Sequence, residues 1–223
     1  MVTDTATDTA TDTATDTATR PATAPATDTA ATTPIRLAVI VASTREGRFG
    51  PKVADWFTSR TALHAGLRTD VIDLADTPLP ASLSHRPGPE EAKALAAVTP
   101  RLETADAYVV ITPEYNHSYP AALKNAIDWH YTPWQAKPVG FVSYGGLSGG
   151  LRAVEHLRPV FAELHAVTVR ETVSFHNAGE LFGADGTLKE PKGPEAAATA
   201  LLDQLTWWAR ALREARAARP YRG

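Results

Sequence analysis

Pro113-Glu114-Tyr115-Asn116-His117-Ser118-Tyr119-Pro120 carries the densest chemistry in this chain. The apolar run Ala107–Thr112 precedes it, and the helical run Ala121–Trp129 follows. A strand therefore ends at a rigid loop, and Pro120 stands near the first turn of a helix, where a missing N–H costs nothing. The loop offers an aromatic ring, an amide and backbone N–H groups at one point. It lacks the nucleophile–base pair of a hydrolase. That set suits a flat aromatic ligand held by stacking and main-chain hydrogen bonds, with Pro113, Glu114, Tyr115 and Asn116 as its candidate contacts.

A second loop adds an anion. The β-branched run Ile35–Ala42 has the pattern of a strand buried on both faces. Ser43-Thr44-Arg45-Glu46-Gly47-Arg48-Phe49-Gly50 follows, then a helical run from Pro51 to Arg60. Strand, hydroxyl-rich loop and helix start form a phosphate-binding geometry, because free N–H groups and the positive end of the helix dipole face the anion. The loop is neither a G-x-x-x-x-G-K-[ST] nor a G-x-G-x-x-G sequence. A phosphate here would rest on hydroxyls, Arg45 and backbone amides, without lysine or magnesium.

A third loop, Ser143-Tyr144-Gly145-Gly146-Leu147-Ser148-Gly149-Gly150, follows another strand-like run. Its glycines would let backbone approach a flat ring. The same stretch fits G-x-S-x-G, so a serine hydrolase with Ser148 as nucleophile is a competing reading. That fold needs an acid and then a histidine further along. His156 and His165 fall on the next helix or at its end, Glu171 before His176 lies inside a strand, and Asp185 follows His176 in the wrong order.

The elements that position these loops alternate along the chain. Strands are expected at 35–42, 67–74, 107–112, 137–144 and 166–174. Helices are expected at 51–60, 89–104, 120 to 129 or 131, 149–165 and 194–219, with Leu201, Leu205, Trp208 and Leu212 on one stripe of the last. Residues 175–193 read as a long loop. Five strands separated by helices predict an α/β parallel sheet covered on both faces. The flavodoxin-like order 2-1-3-4-5 has its switch point between the first and third strands, which carry the first two loops described.

Residues 1–34 repeat Thr-Asp-Thr-Ala four times from Thr3 to Ala18 and continue in Thr, Ala and Pro. No large apolar residue lies between Val2 and Ile35, so this segment is expected to be a disordered tail and 35–223 one domain. The tail lacks the basic start and apolar centre of a secretory signal, and it holds five Asp against one Arg. Without it the chain is near neutral. There is no cysteine, which excludes disulfides, iron–sulfur clusters and a thiol nucleophile. No apolar run approaches membrane-spanning length, no histidine or acid group has metal-ligand spacing, and no aromatic-plus-basic pattern suggests nucleic acid. A cytoplasmic protein is the expectation.

The loop Ser43–Gly50, then Pro113-Glu-Tyr-Asn116 leading into Leu123-Lys-Asn-Ala-Ile-Asp-Trp129, resembles the NADPH-dependent FMN reductase family. The resemblance covers about residues 35 to 190, with Ala42 standing where the family often has glycine. It implies non-covalent FMN, hydride from NADPH or NADH, and a small-molecule acceptor such as a quinone, flavin, azo compound or metal oxyanion. Ser43, Thr44, Arg45, Arg48 and Phe49 would match the phosphate loop. Pro113, Glu114, Tyr115 and Asn116 would match the loop against the flavin ring. Ser143, Tyr144, Gly145 and Gly146 would match the third FMN loop. The flavin N5 would carry the chemistry, with no catalytic side chain and no metal. A flavodoxin-like electron-transfer module is the non-enzyme alternative. The family also implies a homodimer or homotetramer, and the aromatic run Trp129-His130-Tyr131 with Trp134 is expected at a subunit interface bordering the flavin.

Overall fold

The computed structural model describes residues 33–223. The expected tail therefore lies outside the described residues, except Thr33 and Pro34, whose carbonyls accept hydrogen bonds from Arg213. Five strands form one parallel sheet: β1 (Ile35–Val41), β2 (Leu67–Asp73), β3 (Ala107–Pro113), β4 (Pro138–Tyr144) and β5 (Val167–Phe175). Their order is β2-β1-β3-β4-β5, and each neighbouring pair is parallel. The sheet is flavodoxin-like, and its strand order reverses between β1 and β3.

Six α-helices lie between or after the strands: α1 (Gly50–Leu63), α2 (Pro89–Thr104), α3 (Ala121–Asp128), α4 (Leu151–Glu163), α5 (Ala178–Leu181) and α6 (Lys192–Ala218). Alternation along β1 divides the core. Leu37, Val39 and Val41 join Val53 and Phe57 of α1 and Leu201 and Leu205 of α6. Ala38 and Ile40 join Leu102 of α2, Leu123 and Ile127 of α3, and Leu157 and Phe161 of α4. Burial on both faces is why β1, β3 and β4 are almost wholly apolar, whereas edge strand β2 carries four polar residues. Gly140 lets α6 approach β4, since a Cβ there would stand 2.8 Å from Leu201 Cδ1.

Helices α1 and α3 run to Leu63 and Asp128, where ends at 60 and at 129 or 131 were expected. The long loop after β5 contains the short helix α5. Helix α4 starts at Leu151, two residues late, because Gly149 and Gly150 are left-handed (φ 61° and 84°).

The aromatic run after α3 also departs from expectation. Trp134 is 1% exposed, with Tyr108 at 4.7 Å and Phe161 at 5.4 Å between ring centroids. A 3-10 turn over Thr132–Trp134 folds the chain back beneath the sheet, where the Trp134 indole N–H bonds His130 O. His130 is buried as well, between Thr99 and Ala126 O. The run stands at the far end of α3, just before β4 begins, and Tyr131 reaches back to His165. His130 and Trp134 therefore belong to the core at the foot of the sheet, while Trp129 is half-buried and Tyr131 is exposed. Spacing shows that aromatics cluster, but only tertiary packing decides which way they turn.

Candidate functional site

The β1 loop spans the gap from Val41 to Gly50. Arg48 Nη1 donates to Ser43 O at 3.0 Å and to Asp73 Oδ1 at 2.6 Å, tying the loop to the end of β2. The Asp73 hydrogen bond holds the Arg48 guanidinium above its ordinary value, so it is a fixed cation. Helix α1 then begins with no side-chain cap and no acid in its first turn. Its first N–H groups and positive dipole end are left to the loop. A Cβ on Gly50 would lie 2.3 Å from Ser43 Oγ and 3.1 Å from the Tyr144 hydroxyl, so close approach here requires glycine. Those two hydroxyls are buried, and neither makes a regular hydrogen bond among the described residues. Burial pushes the Tyr144 phenol up to about 12, with Ser43 close enough to temper the rise. Ala42 shows no left-handed backbone, so alanine serves there without strain.

The β3 loop is a two-residue reverse turn. Tyr115 N–H donates to Ser118 O at 2.8 Å, and Ser118 N–H returns to Tyr115 O at 3.1 Å. Asn116 and His117 between them have φ of 47° and 73°. Two consecutive left-handed residues make a type I′ turn, a conformation that costs a histidine energy and that surroundings must hold in place. Part of that hold comes from α4, whose His156 Nδ1 lies 3.0 Å from Ser118 Oγ.

Glu114 precedes the turn, and its side chain is only 4% exposed. Arg152 Nε donates to its Oε1 at 2.5 Å, and the Arg152 backbone N–H donates to Oε2. Burial opposes the charge, but Arg152 and the Ser148 hydroxyl outweigh it and hold the carboxyl below its ordinary value. Glu114 thus clamps the β3 loop to the start of α4.

The β4 loop is braced from the other side. Gly145 N–H donates to Phe175 O, while Asn177 and Ala178 donate to Gly146 O and Gly145 O. Ser143 Oγ and Ser174 Oγ both donate to Gly149 O at 2.8 Å. Ser148 lies against Glu114 rather than a histidine. His156 is engaged with Ser118, and His176 Nδ1 with Leu147 O at 2.8 Å. No serine–histidine–acid relay forms around Ser148 among the described residues.

The loops meet at Arg45, whose guanidinium stands 5.4 Å from the centroid of the Tyr115 ring. Thr44, Arg45, Asn116 and Gly146 are exposed there, with Tyr115 and Gly145 half-buried. The other candidate residues turn inward. Ser43, Pro113, Ser143 and Tyr144 are buried, Arg48 and Glu114 are held in ion pairs, and Phe49 packs on Tyr144 and Phe182. These residues shape the loops from beneath.

This sheet order and these three loops coincide with one known pattern, that of NADPH-dependent FMN reductase, which matches residues 35–180. The chain belongs to the NADPH-dependent FMN reductase family. An NAD(P)H-dependent FMN reductase of Schizosaccharomyces pombe is 37% identical over 125 residues, covering 52% of this chain and 60% of that protein. The chain therefore spans about three fifths of that relative's length. A 2-hydroxy-1,4-benzoquinone reductase of a Burkholderia species is 32% identical, over 61% of this chain and 75% of that protein. Among solved structures, the flavoenzyme NAD(P)H:(acceptor) oxidoreductase FerB of Paracoccus denitrificans superposes with a TM-score of 0.61. It is 25% identical and covers 78% of this chain and 97% of its own.

Sequence reasoning missed the part that three residues play in holding the family motifs in place. Arg152 clamps Glu114. Asn125 Nδ2 donates to Leu79 O and Pro80 O, and Trp129 Nε1 donates to Pro80 O. An amide inside the amphipathic run Leu123–Trp129 was a usable signal for Asn125; nothing local marks Arg152. Lys124 and Asp128, spaced i,i+4 on α3, form an ion pair at 2.6 Å.

Proposed function

We propose that this chain, with residues 35–223 as one flavin-binding domain, is an FMN-dependent NAD(P)H oxidoreductase that reduces small-molecule acceptors. The observation that carries the reading is Arg45 over Tyr115, which unites an anion loop and an aromatic loop at the switch point of a flavodoxin-like sheet. The residues present fit FMN. An uncapped helix start faces the β1 loop, and the buried hydroxyls of Ser43 and Tyr144 beside Gly50 have no hydrogen-bond partner among the described residues. The exposed hydroxyl of Thr44 and the cation of Arg45 supply further donors for a phosphate.

When bound, FMN supplies the hydride and electron chemistry. The chain supplies position. Thr44, Arg45 and the first turn of α1 hold the phosphate. Tyr115 and Asn116 border the ring from the β3 loop, and Gly145 and Gly146 let backbone reach it from the β4 loop. Glu114 and Arg152 fix the spacing between those two loops, while Arg48 and Asp73 fix the β1 loop. A second copy of the chain closing over this rim as a homodimer would cover Leu147, which is 89% exposed in the β4 loop.

Quenching of FMN fluorescence on titration, with one site per chain, tests the reading, together with oxidation of NADPH or NADH by the loaded protein in the presence of a quinone. Absence of FMN binding would sink it.

A further inference from the structure

The N-terminal ends of the strands, opposite the three loops, carry a cleft of about 580 Å³. Arg36 of β1, Arg68 of β2 and Arg213 of α6 line it, together with the buried Asp106. Arg36 and Arg68 are partners in the parallel register of β1 and β2, so two cationic side chains leave neighbouring strands at the same level. Like charges so placed repel. Asp106 answers only part of this charge. Its Oδ2 accepts the Arg36 backbone N–H at 2.9 Å, while the guanidiniums of Arg36, Arg213 and Arg216 stand 3.6–3.9 Å from its oxygens. Those are ion-pair distances, too long for direct hydrogen bonds. Arg68 is exposed and makes no ion pair or hydrogen bond among the described residues. Glu214, at the α6 side of the cleft, is exposed and likewise forms no ion pair among them. Nearby Lys137 registers the excess of cations. Burial first, then Arg216, lowers its ammonium to about 8, and Arg36 adds to the effect.

The chain enters the domain through this cleft, which Thr33 and Pro34 also line. Arg213 donates to Thr33 O at 3.1 Å and to Pro34 O at 3.3 Å, fixing the point from which the preceding residues lead away. Residues 1–32 lie outside the described ones and hold five aspartates against one arginine. Four of the aspartates recur at every fourth position, Asp4, Asp8, Asp12 and Asp16, and Asp28 stands five residues before Thr33. Five residues span at most about 17 Å, enough to carry Asp28 across a cleft that Thr33 itself borders. We propose that residues 1–32 of the same chain dock on this arginine cleft, their aspartates pairing in turn with Arg36 and Arg68. The proposal goes beyond the flavin reading and stands independently of it. Charge complementarity selects the occupant, and so does the tether. Exposed ion pairs too weak to hold a free peptide are able to hold a tethered one, because the tether sets an effective concentration on the order of millimolar. No apolar contact is needed, in keeping with a segment that has no large apolar residue between Val2 and Ile35.

The chain has no cysteine, so Ala14→Cys takes a single nitroxide label between Asp12 and Asp16. In the full-length labelled protein at low salt, the backbone amide resonances of Arg68 and Thr69 on β2 should lose at least half their intensity relative to a diamagnetic label. The loss should largely vanish at about 1 M salt, where the screening length is about 3 Å. It should vanish also in Arg68→Glu, and when Asp4, Asp8, Asp12, Asp16 and Asp28 are all changed to Asn. The Asn variant alters nothing in the folded domain, so it decides the question should Arg68→Glu fold poorly. Full intensity at Arg68 and Thr69 in the labelled wild type would overturn the proposal. So would a loss that survives unchanged in the Asn variant, since the tether alone then accounts for it. Broadening seen only when a labelled chain is mixed with an unlabelled, isotope-enriched one would assign the cleft to the segment of another copy and would overturn it too.

Discussion

Removing the Arg45 guanidinium tests how this chain recognises a phosphate. In the structure the group rests over Tyr115 at 5.4 Å, so it must leave that ring, or share it, to bond an anion. A charge-assisted hydrogen bond contributes about 1.5–3 kcal/mol. An exposed cation–π contact contributes about 0.5–1 kcal/mol. If the two compete, Arg45 adds a net ~0.5–2.5 kcal/mol to FMN binding, and Arg45→Ala weakens it by roughly 2- to 70-fold. Riboflavin, which has the ring but no phosphate, should bind wild type and variant equally. Repeating Arg45→Ala in a Tyr115→Leu background removes the competitor, so the loss there should be larger, by about two- to fivefold. Fluorescence titration of both flavins against the four proteins measures every arm. Equal weakening of FMN and riboflavin would refute the phosphate role. A smaller loss in the Tyr115→Leu background would refute the competition.

Three further outcomes follow from named contacts. Ser148→Ala should leave NAD(P)H oxidation within a few-fold of wild type, because Ser148 faces Glu114 and no histidine; an esterase activity lost with this change would restore the hydrolase reading. Trp134→Ala should destabilise the fold by about 3–5 kcal/mol in urea unfolding, the usual cost of deleting a core aromatic, whereas an unchanged stability with loss of dimer would return Trp134 to an interface. Lys137 is buried against Leu102 O, Glu103 O and the Tyr108 hydroxyl, and burial lowers its ammonium to about 8. Between pH 8 and the ordinary lysine range, the unfolded chain therefore binds more protons than the folded one, and stability from this group rises with pH. Thermal melts should show that rise in the wild type and its loss in Lys137→Met; identical pH profiles would contradict it.

Much of this protein is legible in one dimension. The β-branched runs could only be strands buried on both faces, and their alternation with helical runs left a parallel sheet as the economical arrangement. Turn chemistry marked the β1, β3 and β4 loops, because strand ends, glycines and Pro120 are local signals. Arg45 and Tyr115 became candidates in the same way, through their position in two loops at the switch point of the expected sheet.

Tertiary structure decided which of the candidate residues face outward. Arg45 and Arg48 are alike in sequence, three residues apart, yet Asp73 from a neighbouring strand claims one and leaves the other over Tyr115. Glu114 became a clamp because Arg152, 38 residues away, reaches it. Trp134 and His130 went inward because a 3-10 turn returns the chain under the sheet. The β2–α2 connection is held against α3 by Asn125 and Trp129, 45 to 49 residues away. Sequence states what a residue is able to do; long-range contacts, set by how the whole chain packs, determine which of those abilities is left free.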